Sequence, residues 1–101
     1  MISPLENKAL LTFFSEVKKL AILNQCYELA AASRDYEKRI LNGDILNTNK
    51  CYEDAKYLVD TYKQTVTMRP ILENHLKQLH YVIMRSEVRS DIISKILGDS
   101  N

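Results

Sequence analysis

Two histidines, His75 and His80, stand five residues apart in a stretch without glycine or internal proline, Ile71 to Ile83. Histidine is the usual general base near neutral pH and a common metal ligand. A spacing of five places the two rings about 140° apart around a helix, whereas chelation from one face wants a spacing near four. The pair therefore reads as one half-exposed and one half-buried side chain on a packed helix. No Glu-x-x-His occurs, which disfavours a di-iron carboxylate bundle. Cys26 and Cys51 are the only thiols. If the first helix reaches Asn42, Cys26 lies about 24 Å from the following reversal, beyond disulfide reach of Cys51. Both read as free, buried thiols. The carboxylates sit mostly in charged runs such as Tyr36-Glu37-Lys38, which suit a solvated face. No glycine-rich phosphate loop and no nucleophile motif appears. These residues predict no catalytic group, no metal and no cofactor.

Six tyrosines remain, in a chain with no tryptophan and two phenylalanines. Tyrosine joins apolar area to a polar tip and is enriched at interfaces. Tyr57 and Tyr81 fall off the main apolar stripes and are expected at the surface. Some of the others must serve the core.

The elements that carry these residues follow from the punctuation. The chain has 101 residues, 46% of them hydrophobic, with two glycines and two prolines. One domain, 1–101, made of helices suits that length and scarcity of breakers. Ser3-Pro4-Leu5-Glu6 is a helix start, with a capping serine and proline at the first helical position. Leu10, Phe13/Phe14, Val17, Leu20/Ala21, Tyr27 and Ala31 recur at helical spacing. They predict a long first helix that runs to about Leu41 or breaks at Ser33. Asn42-Gly43-Asp44 is a stop and Asn47-Thr48-Asn49 a new cap. Tyr52, Ala55, Leu58/Val59, Tyr62 and Val66 then share a face. Pro70 either opens a new helix after a corner at Thr67–Arg69 or kinks a continuous one. The predicted architecture is all-α, an antiparallel bundle of three or four helices with a kink or turn at Pro70.

Beyond Pro70 the stripe is Leu72, Leu76, Leu79 and Ile83. Val88, Ile92, Ile93, Ile96 and Leu97 form another, rotated by about 110°. Either the helix bends near Ser86, or residues 86–101 form a mobile segment that faces something other than the core. The net charge is +1, with both signs interspersed, so no basic stripe for nucleic acid is present. No apolar run is long enough for a membrane span. The start lacks the order of a secretory signal, which with two cysteines points to the cytoplasm.

Two segments carry a family resemblance. Ile22-Leu23-Asn24-Gln25-Cys26-Tyr27-Glu28-Leu29-Ala30 with Arg34-Asp35-Tyr36-Glu37 resembles the first-helix ending of the FliT-type flagellar export chaperones. Tyr62-Lys63-Gln64-Thr65-Val66 and Ile71 to Leu79 resemble that family's long third helix. The family usually has tryptophan where Tyr36 stands and glycine before it, and Pro70 interrupts what is normally continuous helix. The resemblance covers about half of the chain. It implies a bacterial, cytoplasmic, non-enzymatic chaperone of type III export that binds a helical segment of a filament-cap or other exported subunit. The family's last helix covers the binding face until the client displaces it.

The residues expected to line such an apolar groove are Tyr62, Val66, Leu72, Leu76 and Leu79, with Ile92 and Ile96 as the lid. Leu72, Leu76 and Leu79 serve equally well as plain core. The groove could be filled by the chain's own C-terminus, by a client or by a second copy in a homodimer. Two other classes compete. One is a small helical inhibitor or immunity protein from a mobile element that binds a host protein. The other is a DNA-binding regulator, which would need clustered basic residues; Arg85 and Arg89 are offset by Glu87 and Asp91.

Overall fold

The computed structural model describes residues 4–45 and 47–99, with side chains over 4–45 and 47–85. Four helices follow one another: α1 Pro4–Leu23, α2 Tyr27–Leu41, α3 Thr48–Thr61 and α4 Met68–Asp99. No strand occurs among the described residues. The chain is all-α, as composition and punctuation predicted. Helix α1 touches the three others, and α3 packs against α4.

The first helix ends ten residues earlier than Ser33. Gln25 adopts a left-handed φ of 60°. Its N–H donates to the Ile22 carbonyl at 3.1 Å, and the Cys26 N–H donates to the Ala21 carbonyl at 2.7 Å. These are the two bonds of a Schellman ending. Asn24 strengthens it, its Nδ2 donating to the Leu20 carbonyl at 2.8 Å. The same motif ends α2 on Gly43 (φ 76°), with Gly43 N–H to Ile40 O and Asp44 N–H to Arg39 O. Glycine announces that motif in a sequence; glutamine does not. Ser33, the expected break, instead lies buried within α2, its hydroxyl donating to the Leu29 carbonyl at 2.9 Å. That back-bond satisfies a buried hydroxyl without ending the helix.

The early turn makes α1 and α2 an antiparallel hairpin. Phe14 stacks on Tyr36 with centroids 4.8 Å apart and planes 8° from parallel. Lys18 pairs with Glu37 at 2.8 Å. Glu37 is thus half-buried at the α1–α2 seam rather than on a solvated face. The turn also resets the helical register, so Tyr27 and Ala31, expected to continue the first stripe, are exposed.

Asn47 caps α3, its Oδ1 accepting from Lys50 N–H at 3.0 Å. The Thr48 hydroxyl donates to Glu6 Oε2 at 2.7 Å and ties the start of α3 to the start of α1. At the opposite end Cys26 Sγ lies 3.8 Å from Met68 Sδ, so the α1–α2 turn meets the α3–α4 turn. Pro70 stands in the first turn of α4, after a corner at 62–67. There its missing N–H would have had no intrahelical partner. Pro70 therefore begins a helix and kinks none.

The core is Leu10, Phe13, Phe14, Val17 and Ala21 of α1, Leu29, Ala30 and Ile40 of α2, Cys51, Ala55, Leu58 and Val59 of α3, and Met68, Leu72, Leu76, Leu79 and Ile83 of α4. Helix α4 continues through Ser86 to Asp99 without a break. Its 32 residues span about 48 Å, against about 30 Å for the 20 of α1.

Candidate partner-binding groove

The residues with reactive side chains do not converge. His75 is half-buried, while His80 is exposed and stacks on Tyr52 at 5.0 Å. Among the described residues no group of three or more His, Cys, Asp or Glu side chains could hold a metal. Cys26 and Cys51 are both free, the first half-buried and the second buried. Burial raises the Cys51 thiol to about 11, with Asp54 adding to the effect, so it holds its proton at neutral pH. Tyr36 is raised to about 12, first by burial and then by its hydrogen bond to Asp54. Both shifts suppress the reactive anion, which is the opposite of what a nucleophile needs.

The surface offers a groove between α1 and α4. Leu5, Ala9, Thr12 and Phe13 line one wall; His75, Gln78, Leu79 and Val82 line the other, with Lys8 at the rim. It encloses about 300 Å³. Leu5, Ala9 and Phe13 recur every four residues on the flank of the α1 core stripe, and His75, Leu79 and Val82 mirror them on α4. Leu5 is 56% exposed, so this wall is an apolar edge open to solvent. Antiparallel α1 and α4 hold the two walls, because the Phe13 and Leu79 side chains that form the floor are buried in the core.

The sequence-predicted groove residues are dispersed. Leu72, Leu76 and Leu79 lie in the core at 0%, 8% and 3% exposure; only Leu79 also floors the groove. Tyr62 is half-buried and lines a depression between α2 and α3 with Tyr36, Tyr57 and Arg39. Val66 stands on the α3–α4 corner, 90% exposed. The side chains of Ile92 and Ile96 lie outside the described residues. Tyr57 and Tyr81 are exposed, as expected from their positions off the stripes.

Sequence reasoning missed Leu5, Ala9, Phe13 and Val82 as a set. The four-residue recurrence on α1 was a usable signal, but the pairing of α1 with α4 was not visible in it. Among the described residues no helix is long and apolar enough to cross a membrane. Compared with protein-family models, curated proteins and solved structures, the chain matches none.

Proposed function

We propose that the protein is a non-enzymatic cytoplasmic adaptor that receives an amphipathic helix of a protein client in the α1–α4 groove. The observation that carries this reading is the open apolar wall of Leu5 and Ala9 facing Val82 across a floor of Phe13 and Leu79. A groove between two antiparallel helices suits apolar anchors of a third helix spaced by three and four. His75, Gln78 and Lys8 supply polar contacts at its edge. The resemblance to FliT-type export chaperones supports the class of client: an exported flagellar or type III secretion subunit. In this reading Leu72 and Leu76 hold the two walls in register from within the core, and Leu79 alone of the three reaches the client. A lid formed by Ile92 and Ile96 would require α4 to break after Ile83, so the groove is taken to be open in the free protein.

The test is a tagged pull-down from the source cells, read by mass spectrometry, with wild type beside Leu5→Asp and Val82→Asp. An exported subunit recovered by wild type and lost by both variants supports the reading. Recovery of a host enzyme alone turns it toward the inhibitor class. A partner list unchanged by both variants overturns the groove.

A further inference from the structure

Between α2 and α3 lies a depression of about 600 Å³ that the groove reading does not use. Helix α2 packs on α1 and α3 on α4, so across this face side chains bridge what the backbones leave apart. The Tyr36 hydroxyl reaches Asp54 of α3 and makes such a bridge. Beside it, Tyr57 and Tyr62 line the α3 wall, and the buried Leu58 and half-buried Ala32 make an apolar floor. Tyr57 is 65% exposed and Tyr62 half-buried, so aromatic surface here is open to solvent.

The polar groups of this lining select what fits. Lys38 and Arg39 bring donors only. The hydroxyls of Tyr57 and Tyr62 have no protein partner among the described residues and point to further donors. Asp35 lines the same depression and Asp54 stands at Tyr36, so two carboxylates balance the two cations. A bare anion therefore gains no net attraction there. A helical ligand spends its carbonyls internally, and an ordinary extended chain brings an N–H for every C=O. Proline brings a carbonyl without an N–H, and a run of prolines stays extended with no internal hydrogen bonds. Such segments dock in aromatic-lined grooves and lose little entropy in doing so. We propose that the α2–α3 depression binds a proline-rich segment of a partner protein. Its rings pack on Tyr57 and Tyr62, and its carbonyls accept from the tyrosine hydroxyls and from Arg39. The site shares no lining residue with the α1–α4 groove, so its failure and the failure of the groove reading are separate results.

Decaproline, blocked at both ends so that it carries no charge, is the probe. It is titrated into the isotope-labelled full-length chain, followed by the backbone amide NMR signals. The expected result is saturable shifts centred on Ala32, Tyr57, Leu58 and Tyr62, with a Kd below about 1 mM. Tyr57→Ala should weaken binding at least about tenfold, as loss of a central aromatic anchor does. Tyr57→Phe, which keeps the ring and the fold, should weaken it about threefold, the net effect of one hydrogen bond. Leu5→Asp, in the other groove, should leave binding unchanged. The same amide spectra confirm that each variant is folded. A blocked glycine-serine peptide of equal length should give no saturable shift. Absence of saturation by decaproline overturns the proposal, as does equal binding by the glycine-serine peptide or by Tyr57→Ala. Inorganic phosphate that shifts the same residues at lower concentration than decaproline overturns it in favour of an anion site. Tyr57→Phe binding as tightly as wild type overturns the hydrogen bond assigned to that hydroxyl.

Discussion

At the residue scale, the titratable groups with resolved shifts mostly stabilise the fold and prepare no reaction. Tyr36 is the clearest case. Its ring stacks on Phe14, Arg39 lies 5.1 Å from its centroid, and its hydroxyl bonds to Asp54 of α3. The folded protein holds this phenol proton to about pH 12, whereas an unfolded tyrosine loses it near 10. The stability from that difference is complete below pH 10 and disappears as pH rises through 12. Urea unfolding of wild type and Tyr36→Phe should therefore differ most at pH 8, with the gap shrinking from pH 10 upward. A gap that stays constant to pH 12 would mean that the hydroxyl is not protected in the fold. Arg69 is raised too, mainly by Glu73 at 2.9 Å and also by Asp60 at 3.1 Å, but it lies at the surface and anchors only the corner of α4.

At the scale of elements, two helices end on the same hydrogen-bond pattern with different residues. Gly43 takes φ 76° freely, and an added Cβ there would meet nothing within 4 Å. Gln25 takes φ 60° at a steric cost. Gln25→Gly should stabilise the protein by about 0.5 kcal/mol, the strain relieved less the entropy of a more flexible unfolded chain. Gly43→Ala should destabilise it by about 1 kcal/mol, from backbone strain alone. Denaturant midpoints with unchanged slopes would read both. Equal effects of the same sign would contradict the left-handed turn at Gln25. The Ser33 break failed as a reading for a related reason: serine is ambiguous between cap and back-bonded interior, and the Leu29 carbonyl decided it.

At the scale of the molecule, the described core closes at Ile83. A chain ending at Arg85 keeps every buried residue among those described. It should fold with the helical signal of its remaining residues and melt within a few degrees of full length. Thermal melts by circular dichroism on both chains read the difference. A truncation that unfolds would place part of the remaining helix in the core. Leu76→Ala, by contrast, should cost about 2–5 kcal/mol in either chain, because it opens a cavity between α4 and its neighbours.

The sequence by itself determined the helical class, the start at Pro4, the stop at Gly43, the cap at Asn47, and the buried stripes from Leu10 to Ala21 in α1 and from Ala55 to Val59 in α3. Those signals are local: each depends on residues within one or two turns, where glycine, proline, asparagine and apolar spacing have direct conformational effects. Only the tertiary structure decided that Gln25 turns the chain, that Pro70 opens α4, and that Leu72 and Leu76 face the core rather than a groove. It also placed Leu5 and Ala9 opposite Val82. An apolar stripe records that a helix must be covered, but the energy of covering it has no direction in sequence. Which surface does so depends on how the hairpins dock, and that is set jointly by α1 and every helix packed against it.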